Sequence, residues 1–198
     1  METNFNEVKQ EILRRAKKVS ACKSEYGRAY AAENLSELLE VIKDNFYWAC
    51  VYGVLTVDLI EQYKEDFSAN DIYTNQNAKS GYLLCNNATV EARGNAIVKA
   101  YGNSIVEAYD NAKVEAFDST TVRAYDSTII QAYNNATVKA FDDAMVSAYG
   151  NSTVEAYGYT YCTSLYTIDC KLSDHAIYRV LGTNTIYYAD ADLKFVKQ

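Results

Sequence analysis

An eight-residue repeat constrains the fold of this sequence more than any other feature. It runs from Asn87 to Gly158, and the stretch "NATVEARGNAIVKAYGNSIVEAYD" shows three of its copies. The fourth position is Val in eight of the nine octads, with Ile130 as the exception, and the sixth is Ala in all nine. The seventh is Tyr or Phe in every octad except the first, which has Arg93. A short fixed period of this kind is typical of an architecture in which similar units stack.

Each octad combines the pattern of a short strand with that of a corner. Small and apolar side chains at positions two, four and six alternate with polar ones, as in a β-strand. Ala88, Val90 and Ala92 are therefore expected to point inward, and charged fifth positions such as Glu91 and Lys99 outward. Positions eight and one are Gly, Asp, Asn or Ser, which favour turns. The pattern predicts a parallel β-solenoid.

The number of octads in one coil is predicted from the deviations from the consensus. Two octads would close a flat coil of 16 residues, and three a triangular coil of 24. Phe117 and Phe141 are 24 residues apart, and Ala recurs at the same interval at position two. If stacked neighbours resemble one another, three octads form one coil. We therefore predict a triangular parallel β-solenoid with three faces of eight residues.

The N-terminal part has helical spacing. Apolar residues recur at intervals of three and four over 5–19 and 35–49, which indicates amphipathic helices. Asn34 stands three residues before Glu37, as in a capping box, and Thr56 is a candidate cap for a third helix. A short helix over 24–30 is a fourth candidate.

The fold class is accordingly α+β. We expect a helical region over 1–70, a polar connector over 71–78, and a β-solenoid with irregular C-terminal coils over 79–198. If the octad spacing continues into that last part, the inward fourth positions are Cys162, Cys170, Tyr178 and Ile186.

Composition and charge exclude several classes of function. The net charge of −7 disfavours a nucleic-acid partner. There is no apolar stretch long enough to span a membrane, and the N-terminal segment lacks the apolar core of a signal peptide. The five cysteines are expected to be free thiols in a reducing, cytoplasmic environment. We expect no cofactor and no metal, because there is no CxxC pair and His175 is the one imidazole.

The same residues argue against catalysis. A single histidine gives no Ser-His-Asp set beyond chance, and neither a GxGxxG nor a phosphate-binding loop is present. Asp118, Asp126 and Asp142 occupy corner positions, where a turn role is expected. We therefore predict that the protein is not an enzyme; the alternative is a site in the C-terminal coils around His175.

The tyrosines are the candidate protein-binding surface. Those at seventh positions are expected to form ladders, which either stack on themselves beside the corners or bind a partner, because Tyr is enriched in interfaces. The third positions mix Thr with Ile, Lys and Met and do not form the regular Thr array that ice binding needs. The candidate residues are Tyr101, Tyr109, Tyr125, Tyr133, Tyr149, Tyr157, Tyr187, Tyr188 and Phe195.

The C-terminal end of the solenoid is a second candidate interface. A parallel solenoid has unpaired strand edges at its ends, and these edges favour association. We expect either a homodimer through the C-terminal coils or a partner that adds a strand there.

The octads "NATVEARG", "NAIVKAYG" and "NSTVEAYG" resemble the repeat regions of small octapeptide-repeat β-solenoid proteins of gut bacteria, prophages and phages. The resemblance covers residues 87–158, and "NLSELLEVIKDNFYWACVYG" is similar to helical segments that precede such repeats. It implies an origin in a mobile element and a host protein as the partner. A stoichiometric inhibitor of a host defence system, as anti-CRISPR proteins are, is the function expected by this analogy. The alternatives are a structural solenoid that assembles end to end and an enzyme that uses the region of His175.

Overall fold

The computed structural model describes residues 4–189 and 196–197. The chain divides into two compact units, Met1–Thr74 and Asn75–Gln198. The first unit is helical and ends in a short strand. Its elements are α1 (Phe5–Lys18), α2 (Lys23–Ala31), α3 (Leu35–Asp44), α4 (Phe46–Val51), α5 (Val57–Gln62), α6 (Lys64–Ser68) and β1 (Ile72–Thr74).

Local capping chemistry explains where the predicted helices begin. The Glu37 amide donates to Asn34 Oδ1 at 3.0 Å, and the Leu59 amide donates to Thr56 Oγ1 at 3.3 Å, so both predicted caps are confirmed. The helix expected over 35–49 is instead two helices that meet at Asn45. The Asn45 side chain donates to the Val41 carbonyl at 2.9 Å, and such local bonds compete with a continuous helix.

The second unit is a parallel β-solenoid, and the predicted α+β fold class is confirmed. Its strands are β2 (Tyr82–Asn86), β3 (Thr89–Ala92), β4 (Ile97–Tyr101), β5 (Ile105–Ala108), β6 (Lys113–Ala116), β7 (Thr121–Ala124), β8 (Ile129–Ala132), β9 (Thr137–Ala140), β10 (Met145–Ala148), β11 (Thr153–Ala156), β12 (Tyr161–Ser164), β13 (Asp169–Leu172), β14 (Ile177–Val180), β15 (Thr185–Tyr188) and β16 (Val196–Lys197).

The strands alternate between two sheets. Sheet 1 continues in the order β2-β4-β6-β8-β10-β12-β14-β15-β16, and sheet 2 has the order β13-β11-β9-β7-β5-β3. Val98 pairs with Val114 and Val114 with Ile130, so equivalent residues are 16 apart. The predicted triangular coil of 24 residues is therefore wrong, and each coil contains two octads.

The reason for this error lies in which side chains discriminate between the two periods. Ala, Ser and Thr at position two are all small enough for the interior, so their order carries little information. The outward third positions separate cleanly at a period of 16. Sheet 1 has Ile97, Lys113, Ile129 and Met145, whereas sheet 2 has Thr89, Ile105, Thr121, Thr137 and Thr153.

The core lies between the two sheets and is built from the even positions, as predicted. Val106, Ala108, Val122 and Ala124 have no exposed surface. One expected outward charge is buried as well: Lys99 retains 2% exposure. It pairs with Glu115 in the next coil of sheet 1, and its ammonium lies 4.8 Å from the centre of the Phe117 ring. The ion pair and the ring compensate for the lost hydration.

The corners are stabilised by the eighth residues. Asp118, Asp126 and Asp142 have φ angles of 58°, 55° and 57°, which Asp tolerates better than most residues. Their carboxylates also join successive coils, since Asp126 Oδ2 accepts from the Asp110 amide at 3.0 Å and Asp142 Oδ2 accepts from the Asp126 amide at 3.1 Å. The predicted turn role of these aspartates is confirmed.

Both ends of the solenoid differ from the regular coils. The expected connector over 71–78 contains β1, and Ala78 forms a parallel bridge with Ala92. After β14 the chain reverses, and β15 pairs antiparallel with β14. Ile186 consequently lies opposite Arg179 on the outward side, and its predicted inward position is wrong. The reversal alone inverts the parity of the octad rule.

Replacing Thr128 by Val is expected to raise the free energy of unfolding by about 1 kcal/mol. The Thr128 hydroxyl is fully buried, and among residues 4–189 and 196–197 it has no hydrogen-bond partner. The control is Thr120→Val, which removes a bond from the Thr120 hydroxyl to the Ala100 carbonyl at 3.3 Å and should lower stability. Urea denaturation measures both; equal destabilisation by the two variants would contradict the assignment.

Candidate functional site

Two aromatic ladders line the solenoid where each strand meets its corner. In sheet 1, Tyr101, Phe117, Tyr133 and Tyr149 stack with ring centres 4.8–4.9 Å apart. In sheet 2, Tyr109, Tyr125, Phe141 and Tyr157 stack at 4.9–5.0 Å. These distances match the spacing of neighbouring strands, so the fold itself imposes the stacking.

The first octad departs from the aromatic rule for a structural reason. The Arg93 guanidinium lies 4.2 Å from the centre of the Tyr109 ring, so it ends the sheet 2 ladder with a cation–π contact. Burial and the neighbouring Glu107 raise the pKa of Tyr109 above its usual range. The Tyr109 and Tyr157 hydroxyls donate to Glu107 and Glu155 of their own strands, each at 3.3 Å.

The six tyrosines at seventh positions do not share one surface. Tyr101, Tyr133 and Tyr149 belong to sheet 1, and Tyr109, Tyr125 and Tyr157 to sheet 2. Most of these rings are half-buried by their neighbours, and Tyr149 is the most exposed at 42%. The ladders therefore act chiefly as packing along the solenoid.

The remaining candidates lie at the C-terminal end. Tyr187 is opposite Tyr178 and stacks on it at 5.4 Å, on the inward side of sheet 1. Tyr188 is opposite Ile177, on the outward side. Phe195 lies outside the described residues.

The outward face of sheet 2 is polar. Its third positions form the Thr column, and its fifth positions form ion pairs between coils. Arg123 contacts Glu107 at 2.9 Å, and Lys139 contacts Glu155 at 2.8 Å. The Lys139 hydrogen bond holds the pKa of the Glu155 carboxyl below its ordinary value. This face carries a single Thr column beside charged pairs and satisfies most of its own charges.

The outward face of sheet 1 has the opposite character. In its C-terminal half, the third positions are Ile129, Met145, Tyr161 and Ile177, and of these Ile129 and Met145 are 40% and 51% exposed. The parallel column of seventh positions ends in Tyr149 and in Leu165, which is 49% exposed.

The column between these two apolar rows is short and mostly uncharged. Its members are Gln131, Ser147, Thr163 and Arg179. We call the C-terminal half of this face, formed by residues 129, 133, 145, 149, 161, 163, 165 and 177, the apolar face. A contiguous exposed apolar patch on a folded protein marks a surface for another macromolecule. The sequence held a signal for it, because the third positions at a period of 16 place Ile and Met in one column.

The C-terminal coil contains the two cysteines predicted to face inward. Cys162 is buried and Cys170 is half-buried, and both are thiols. A hydrogen bond with Cys170, followed by burial, raises the pKa of the Cys162 thiol, so it stays protonated. These two residues fill space between the sheets, as the valines do in earlier coils.

His175 lies at an exposed corner, where its ring stacks on Tyr159 at 4.9 Å. Within residues 4–189 and 196–197 there is no group of three or more His, Cys, Asp or Glu side chains that could hold a metal ion. Among the helices that the structure describes, none is long and apolar enough to cross a membrane.

Comparison with known proteins adds no family. No family model, curated protein or solved structure matches this chain. The functional argument therefore rests on the surfaces of the solenoid.

Proposed function

We propose that this protein is a non-enzymatic protein-interaction module that binds a protein partner through the apolar face of sheet 1. The observation that carries the proposal is the contrast between the two outward faces. Sheet 2 pairs its charges, whereas sheet 1 exposes Ile129, Met145, Tyr149 and Leu165 to solvent. Large apolar and aromatic side chains of this kind supply most of the binding energy in protein interfaces.

The rigid stacking of the coils supports the same role. The side chains of the apolar face project from adjacent parallel strands, and each strand is hydrogen-bonded on both sides to the coils before and after it. Such a face is preorganised, so little conformational entropy is lost when a partner binds. The net charge of −7 makes a protein a better partner than a nucleic acid.

The proposed biological role is the inhibition of a host defence protein by stoichiometric binding in the cytoplasm. It follows from the resemblance of the octads to those of phage and prophage solenoids, and it requires a surface rather than a catalytic site. The apolar face supplies that surface.

Site-specific photo-crosslinking tests the surface. A photo-reactive amino acid is placed at Met145 on sheet 1 and, as the matched control, at Thr137, a third position of sheet 2 in the adjacent octad. In bacteria that carry the defence system we expect a discrete adduct from position 145 and none from 137. Equal crosslinking at the two positions, or none at either, would overturn the assignment.

A phage-plating assay tests the role. We expect the protein to restore plating on the defended host and Met145→Lys to reduce that effect by at least tenfold, with Thr137→Lys as the control. A Met145→Lys variant of unchanged thermal stability and full effect would contradict the role of the apolar face. Concentration-dependent assembly that Met145→Lys abolishes would instead identify the face as a self-association surface.

A further inference from the structure

The two sheets of the solenoid do not end together. Sheet 2 stops at β13, whereas sheet 1 continues through β14, β15 and β16. In the part of the chain that the structure describes, β13 pairs with β11 on one side and with no strand on the other. Sheet 1 therefore overhangs an open strand edge.

The polar groups at that edge follow from the hydrogen-bond parity of the coils. Odd positions donate to the preceding coil, as the Ser173 amide does to the Ala156 carbonyl at 2.9 Å. The N–H and C=O groups of Cys170 and Leu172, which are even positions, are consequently directed to the open edge. The amide of Ile168, another even position, is already bound by the Tyr178 hydroxyl at 3.0 Å.

An apolar groove of about 300 Å³ lies beside this edge. Its walls include Ile168, Cys170 and Leu172 from the end of sheet 2 and Tyr178 and Tyr187 from the overhang of sheet 1. In the preceding coil the residues equivalent to Cys170 and Leu172 are fully covered. Here both are half-buried, so one more strand would complete the core.

The charges of sheet 2 indicate what that strand should carry. Lys171 contacts Glu155 of the preceding coil at 3.4 Å, and its side chain is 74% exposed. Within the column, Arg123 likewise lies beside Glu107, and Lys139 beside Glu155. An acidic residue next to Lys171 would extend this complementary column beyond β13.

A second copy of β13 does not fit the edge. Antiparallel pairing of two β13 strands places both copies of sheet 1 on the same side. Each overhang of three strands extends about 14 Å past β13, so the two would occupy the same space.

We propose that the open edge of β13 accepts an extended segment of a partner protein as an added parallel strand. Its side chains alternate in the pattern apolar–acidic–apolar: the apolar ones enter the groove, and the acidic one lies beside Lys171. Main-chain hydrogen bonds to Cys170 and Leu172 provide affinity, and the pocket and the charge provide selectivity. This inference goes beyond the proposed function because the edge is separate from the apolar face.

A peptide with the sequence of Asn151–Gly158, NSTVEAYG, is the probe, since β11 shows this octad pairing with β13 on its other side. Fluorescence anisotropy with the full-length protein is expected to show binding. The same peptide with Lys in place of its Glu should bind about fivefold more weakly, the factor for a cross-strand charge pair of about 1 kcal/mol. Lys171→Glu is expected to reverse the preference.

Two further variants separate the edge from other effects. Cys170→Pro removes the amide that points to the edge but none that bonds to β11, so it should abolish peptide binding while the protein stays folded by circular dichroism. Met145→Lys, on the apolar face, should leave peptide binding unchanged, so that this proposal and the proposed function fail separately. No binding by the wild-type protein, or equal affinity for both peptides in the wild type and in Lys171→Glu, would overturn it, as would a dimer of Cys170-dependent stability in sedimentation.

Discussion

Replacing Ala140 by Leu is expected to lower the free energy of unfolding by about 3 kcal/mol. Ala140 has no exposed surface, and it stacks between Ala124 and Ala156 of the adjacent coils. The space between the sheets is filled by Ala and Val, so a Leu side chain has no room unless the sheets separate. Because parallel coils bond to one another continuously, separation at one coil also strains its neighbours.

The control for this prediction is Thr137→Leu in the same strand. Thr137 points outward and is half-buried, so a larger side chain meets solvent, and we expect a change within about 0.5 kcal/mol. Urea denaturation followed by circular dichroism at 218 nm, a wavelength for β-structure, measures both. If Ala140→Leu were tolerated and Thr137→Leu unfolded the protein, the inward and outward assignments of the octad would be reversed.

Replacing Phe141 by Ala is expected to cost about 2–3 kcal/mol. The Phe141 ring lies between Tyr125 and Tyr157, at 5.0 Å and 4.9 Å with interplanar angles of 8° and 9°. Two stacked pairs at about 0.5–1.5 kcal/mol each, together with the buried ring surface, give this magnitude. The loss would interrupt the sheet 2 ladder at an internal position.

Two controls define this prediction. Phe141→Tyr retains the ring and should change stability by less than about 0.5 kcal/mol, because Tyr occupies the equivalent position in neighbouring coils. Tyr149→Ala, at the exposed end of the sheet 1 ladder, removes a ring with one stacked aromatic neighbour, at 4.9 Å, and should cost about 1 kcal/mol. Equal losses for Phe141→Ala and Tyr149→Ala would show that stacking on both sides adds nothing.

Together these variants test a division of labour within the octad. Even positions such as Ala140 determine how closely the sheets approach. Seventh positions such as Phe141 stabilise the stack of coils from outside. Third positions such as Met145 are left for recognition, since neither the core nor the ladders use them.

The alternation within one octad could be predicted because it depends on neighbours in the chain. A strand of four residues presents Val138 and Ala140 to one side and Thr137 and Lys139 to the other, wherever the strand lies. The corners could be predicted for the same reason, since a residue such as Asp126 adopts positive φ on account of its own side chain. The helix caps at Asn34 and Thr56 are equally local.

The binding surface could not be assigned from the sequence, because it depends on which octads lie over one another. With a coil of 24 residues, Tyr109 and Tyr133 share a column; with a coil of 16, Tyr133 stacks on Tyr149 and Tyr109 on Tyr125. Likeness between octads was a poor guide to this choice. Stacked side chains are selected for complementarity, as Arg123 with Glu107 or Arg93 with Tyr109, at least as much as for identity.

By itself the sequence determined the strand, the corner, the inward set and the helical first unit, because each of these follows from interactions within a few residues. Only the tertiary structure decided that two octads close a coil, that the chain reverses after Val180, and that β13 is left as an open edge. These features depend on contacts between residues at least 16 apart on different coils, or on the reversal that follows β14. The local pattern of an octad is compatible with more than one such closure.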